Sequence, residues 1–272
     1  MGNLLKADFF RVLKTKIVYI SMIVAIGLPL FIAGVLKLTD AAASSIADPS
    51  QPVAASNMGD TLIANTFSPL MSFSFVFAIF PVIVIMMDFG NGTIRNKVIH
   101  GYTRHQIFAA HFIISLIYSL ILTALSAATN AICAAAFFGV NPISQEMVPV
   151  YVLYYAIGLL GTVLTASIGC GLALSLLNAG AIILTVISHL FLSYLGTILQ
   201  LILYWQQTPN PEYVLNFFPT YLDTTLASIN ITYQTTLGIE PWMIVEAVAG
   251  ILILSGGFYA LGTFVFNKRD FK

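Results

Sequence analysis

Charge is what this chain has least of. Only 8% of its 272 residues are Asp, Glu, Lys or Arg, where a soluble domain carries about 25%, and 58% are hydrophobic. So few charges cannot cover a water-facing surface, which excludes an ordinary soluble domain and points to an integral membrane protein. The net charge is zero, so nothing argues for a nucleic-acid partner, which calls for a basic surface. Cysteine is scarce as well. Cys133 and Cys170 both lie inside apolar runs and cannot build the loop-located framework of a disulfide scaffold, so they read as small packing residues.

Catalytic signatures are missing too. A phosphate cradle of the form GxxxxGK[S/T] needs a lysine after a glycine, and none of the seven lysines has one. There is no His-Glu-x-x-His pair and no cysteine pair for a metal. His100, His105 and His111 are spaced by five and six residues, which does not keep three rings on one helical face, and no carboxylate joins them between Asp88 and His111. The expectation is a chain with no catalytic residues, no bound metal and no cofactor, not an enzyme in its own right.

What the sequence does have is long apolar runs, each able to cross a bilayer in about 20 residues. They predict an all-α membrane protein, a single transmembrane domain over 1–272, with six spans at about 17–36, 70–87, 107–138, 149–177, 181–204 and 241–266. The first run follows a charged start, as a signal peptide would. It continues for twenty residues, contains Pro29 and lacks a small-residue cleavage site, so it reads as a retained anchor. Trp205 ends the fifth span, where an interfacial aromatic belongs. The segment 206–240 is too long for a plain connection and too apolar for a flexible one. Tyr213, Leu215, Phe217, Phe218 and Tyr221 call for burial, which short helices dipping into the outer leaflet would give.

The few cations are not scattered. Lys6, Arg11, Lys14 and Lys16 open the chain, Arg95, Lys97 and Arg104 lie in its middle, and Lys268, Arg269 and Lys272 close it; Lys37 is the one outlier. Short Lys- and Arg-rich segments stay in the cytoplasm. All three clusters then share that side, both termini are inside, and the number of spans is even. Residues 2–16 place Leu5, Phe9, Val12 and Leu13 on one stripe with Arg11 and Lys14 directed away from it, as an amphipathic N-terminal helix at the membrane interface would. A plain basic flank is the alternative.

Polar residues within spans are functional candidates because each is costly in lipid. Glu246 is the only acid in a span; His189, Asn130 and Gln200 follow. An interhelical hydrogen bond explains each of these last three as well as a transport role does. Gly161, Thr165, Gly169 and Ala173 recur every four residues in the fourth span, as do Ala127, Ala131 and Ala135 in the third, a spacing that lets helix backbones approach in lipid.

The longest polar segment on the cytoplasmic side, 88–106, carries the remaining pattern. Asp88 ends the second span, Gly92-Thr93 follows four and five residues later, Arg104 comes eleven after the threonine, and His111 seven beyond that. Gly92-Thr93 predicts a turn and a helix N-cap, after which Ile94, Val98 and Ile99 share an apolar side while Arg95 and Lys97 stay solvated. This order and spacing resembles the inner loop of type-2 ABC exporter permeases, in which a lysine is frequent where His111 stands and a proline where Gly101 stands. The tail Phe266-Asn267-Lys268-Arg269-Asp270 is similar to that family's closing pattern, and the likeness runs over essentially the whole chain.

The resemblance implies the membrane subunit of an ATP-driven exporter, with Asp88, Gly92, Thr93, Arg95 and Arg104 coupling it to a separate ATP-binding subunit. It implies a second permease chain, identical or homologous, and a multi-pass place in a bacterial plasma membrane among its lipids. Cargo such as an antimicrobial peptide, a drug or a lipid-like molecule would suit so compact a permease. From other classes stand an ATP-independent secondary transporter or channel, with Glu246 as its ionisable group, and a non-translocating membrane sensor or immunity subunit.

Overall fold

Backbone N–H and C=O groups in long apolar runs have no water to bond, and a helix satisfies them within the segment. The computed structural model describes residues 2–46, 74–139, 148–208, 215 and 241–269, and among these every regular element is helical. In chain order they are α1 (Gly2–Leu13), α2 (Lys16–Ile46), α3 (Ser74–Gly90), α4 (Thr93–Ile99), α5 (Arg104–Phe138), α6 (Val148–Leu176), α7 (Gly180–Trp205) and α8 (Pro241–Lys268). Four of them, α2, α5, α6 and α8, are long and apolar enough to cross a membrane, and a fifth crossing follows if α3 and α4, bent by 62° from each other, count as one. The chain therefore has the build of a multi-pass membrane protein. The helices anticipated after Gln206 lie outside the described residues, apart from Leu215, which is buried.

One boundary differs by a full ten residues. The apolar pattern ends the first span at Leu36, yet α2 continues to Ile46. Residues 37–46 contain three consecutive alanines and no Gly or Pro, so nothing stops the helix once it is nucleated. Lys37 and Asp40 pair across one turn at 3.7 Å, and the Lys37 ammonium also lies 5.1 Å above the Phe138 ring, joining α2 to the end of α5.

The centre of the bundle is α6, which packs against α3, α5, α7 and α8. Its closest crossing is with α8. A Cβ added to Gly262 would stand 2.7 Å from Gly171 Cα and 2.9 Å from the Phe108 ring, and one added to Gly171 would stand 2.9 Å from the Phe258 carbonyl. Only glycine permits such an approach. Beside it, Phe108 and Phe112 of α5 lie edge-on to Tyr259 at 5.0 and 5.1 Å.

Of the every-fourth small residues, Gly169 on α6 faces Val82 and Ala78 of α3, while Ala131 and Ala135 on α5 are exposed. A deeper fit is available two residues along, at Gly171, where the partner helix also offers a glycine. Between α6 and α7 the chain turns at Leu177, whose φ of 52° is held by packing of its side chain into the core beside Ala173 and Ala181.

Candidate functional site

All three basic clusters meet at one end of the bundle. From α1, Arg11 donates both guanidinium nitrogens to the Asp88 carboxylate at the end of α3, and its Nη2 lies 3.3 Å from Asp8 Oδ1. From α4, Lys97 Nζ donates to Asp8 Oδ2 at 2.6 Å and to His111 Nε2 of α5 at 3.3 Å. His111 Nδ1 faces Asp88 Oδ2 at 3.7 Å, which closes a ring Arg11–Asp88–His111–Lys97–Asp8. With Lys97 donating to Nε2, the ring proton of His111 is assigned to Nδ1, the atom turned toward Asp88.

Asp8, Asp88, Lys97 and His111 are all buried. Two carboxylates and two cations balance, and that balance is what makes their burial tolerable. A lone buried charge costs several kcal/mol, whereas a closed set of charge-assisted hydrogen bonds offsets most of that. Asp88 also lies at the negative end of the α3 dipole, so the Arg11 fork compensates an otherwise unfavourable position.

Local structure explains how four helices deliver five side chains to one point. On α1 the buried residues are Leu4, Asp8 and Val12, an i, i+4, i+8 face with the acid at its middle, and Arg11 follows one turn after it. Gly92 has φ 69° and ψ 9°, a left-handed conformation that turns α3 into α4. Its stop after Asp88 is therefore a backbone requirement for glycine. On α4, Ile94 and Lys97 share the buried side.

A second junction lies beside the first. Arg104 Nη1 donates to the carbonyls of Asn267 and Arg269 at 2.5 and 2.6 Å, and Arg269 donates to the Ser175 carbonyl near the end of α6. Two arginines thus satisfy carbonyls that the ends of α6 and α8 leave open, where a cation is also favoured by the helix dipole.

Several expected roles change. Lys97 is not solvated but 7% exposed, and Ile99 is 71% exposed: a seven-residue helix has one inward side, and Lys97 with Ile94 occupies it because Asp8 waits there. Arg11 turns into the ring instead of away from the bundle, while Phe9, Phe10 and Leu13 of α1 face outward. Thr93 caps nothing. The residue before α4 is Gly92, with no side-chain bond, and the capping threonine is Thr103, which forms a reciprocal box with Gln106 at the start of α5. Gly101 has φ 88°, a conformation closed to the proline frequent at that position in the permease pattern.

Of the remaining candidates, Arg95 is exposed. Asn130 and His189 are buried; His189 Nδ1 bonds the Thr185 carbonyl of its own helix at 3.0 Å. Glu246 is half-buried on α8, far along the helix from the ring. Among the described residues no group of three or more His, Cys, Asp or Glu is placed to hold a metal ion. Sequence reasoning missed that Arg11 and His111 meet Asp88 and that Lys97 and Asp8 complete the ring. A signal for Asp8 was present, since an acid at the centre of an i, i+4, i+8 apolar face must find a cation.

No curated protein and no solved structure matches the chain. A family model does, over residues 42–272, which takes in Asp88, Lys97, Arg104 and His111 and leaves α1 outside; the chain belongs to the family described as a protein of unknown function (DUF2705).

Proposed function

We propose that this chain is the membrane subunit of an ATP-driven exporter of the type-2 ABC kind, six-span, with both ends in the cytoplasm of a bacterial cell and a separate ATP-binding subunit as its partner. The observation that carries the reading is the construction of α4. One side of this short helix is bound to the bundle through Ile94 and Lys97, and the opposite side presents Arg95, Asn96 and Ile99 outward. Its axis is bent 62° from α3. A rigid knob with a fixed root and a free mixed apolar and basic face is what a partner needs in order to push on the spans. Of the residues the resemblance assigns to coupling, Arg95 belongs to that free face. Asp88 and Arg104 act behind it, Asp88 in the ring and Arg104 at the end of α8. The ATPase would do the chemistry, and this chain would supply the path and the lever, because a ligand shifts a conformational equilibrium only by binding one state better.

The test is purification of the tagged chain from its native host in mild detergent, alone and as Arg95→Glu/Ile99→Asp. An ABC-type ATPase should accompany the wild-type chain and be lost from the double variant, which changes only exposed side chains. If no ATPase accompanies the wild-type chain and it moves solute in liposomes without ATP, the secondary transporter reading with Glu246 replaces this one.

A further inference from the structure

The inward face of α5 is rich in polar residues over its middle twenty residues, 111–130. His111, Ser115, Ser119, Thr123, Ser126 and Asn130 follow at spacings of four, four, four, three and four, and all six are buried. That is one helical face, and from His111 to Asn130 it rises about 28 Å at 1.5 Å per residue, against about 30 Å for a hydrocarbon core. It extends the face begun by Phe108 and Phe112, which rests on α8 beside the Gly171 and Gly262 crossing. The stripe therefore runs outward along α6 and α8.

The facing α8 contributes a hydroxyl at matching depth. Ser115 is seven residues beyond Phe108 and Ser255 is seven before Gly262, so each lies about 10 Å from the crossing. Both are buried.

Isolated hydroxyls in membrane helices satisfy themselves by bonding a carbonyl three or four residues back. Thr129, Thr162, Thr165, Ser167, Thr185 and Thr263 do so here. Ser119 Oγ and Ser255 Oγ do not, and neither has a hydrogen-bond partner among the described residues. A buried hydroxyl left unpaired costs about 1–3 kcal/mol, and internal water is the usual partner of such a group.

We propose that α5, α6 and α8 enclose a column of bound water within a single chain, running along Ser115, Ser119, Ser126 and Asn130 and ending on the ion-pair ring at His111. The ring is its stopper: four helices close that end with charged side chains, and only their separation opens it. This column lies inside each chain and does not depend on the ATP-driven reading.

Thiol chemistry tests it. The reactive species is the thiolate, which needs water, so a cysteine in a dry bundle or in lipid alkylates slowly. In membranes containing a Cys133→Ala/Cys170→Ala chain, Ser119→Cys and Ser126→Cys should react with N-ethylmaleimide at least tenfold faster than Ile121→Cys, which is exposed on the outer side of the same helix. Rates equal to or below that of Ile121→Cys overturn the proposal. Should a cysteine variant fail to fold, radiolytic hydroxyl-radical labelling of the wild-type chain in lipid nanodiscs decides instead. Water in the column labels Leu164, buried between α6 and α8, ahead of outward-facing Ile121, and an unlabelled Leu164 rejects the column.

Discussion

Asp8 and Lys97 are 89 positions apart and 2.6 Å from each other, the shortest bond each makes within the ring. Removing one partner of such a pair strands the other, at about 3–5 kcal/mol, while replacing both by uncharged residues of similar shape is far cheaper. Asp8→Asn should therefore lower stability by several kcal/mol, Lys97→Met by a similar amount, and the double variant by much less than the sum. Thermal unfolding of the four proteins in one detergent gives the coupling energy; additive losses would mean that the two side chains do not share a bond. The ring shows why sequence alone falls short at this scale. Asp88 stands out because of its position beside Gly92 and Thr93, but its partners come from α1, α4 and α5, and no periodicity within one helix reveals a contact between helices so distant in the chain. Lys97 is the sharpest case. Local amphipathicity assigns it to solvent, and a carboxylate from α1 overrides that preference.

Elements were far more legible than their pairings. Apolar runs fix helix bounds for α5, α6, α7 and α8 to within three residues of the structure, because helix ends here coincide with Gly, Pro, Asn and Thr, which act locally. Which helix touches which is decided by close approach, and the small-residue repeats of α5 and α6 do not single out the contacts. Gly171 and Gly262 lie outside both repeats yet, among the described glycines, make the closest helix-to-helix approach. Gly262→Ala should force α6 and α8 apart, since the new Cβ would meet both backbone and Phe108, at about 1–3 kcal/mol for an overpacked site. Gly257→Ala on the same helix meets nothing within 4 Å and serves as the control. Unfolding temperatures in nanodiscs should drop for the first and hold or rise for the second; equal responses would place the loss in helix propensity and not in the crossing.

At the scale of the whole molecule the two junctions constrain the path of the chain. Arg11 on Asp88 brings α1 to the end of α3, and Arg104 on the Asn267 and Arg269 carbonyls brings the end of α8 to the start of α5, so the first and last helices finish at the same end of the bundle. On the proposed six-span reading, a chain that leaves this end along α2 and returns to it along α8 makes an even number of crossings. α2, α5, α6 and α8 are long and apolar enough to cross, and the six crossings proposed above require α3 and α7 to cross as well. Six accords with the positive-inside distribution, because it puts all three basic clusters on one side. Single cysteines in a Cys133→Ala/Cys170→Ala chain test that count. In intact cells an impermeant maleimide should leave Gly2→Cys, Arg95→Cys and a cysteine added after Lys272 unlabelled, and should label Ala55→Cys and Ser144→Cys. Labelling of Ser144→Cys with protection of Ala55→Cys would mean that α3 does not cross. Opposite results at the two ends of the chain would contradict the meeting of α1 and α8 at one end, and with it the even count.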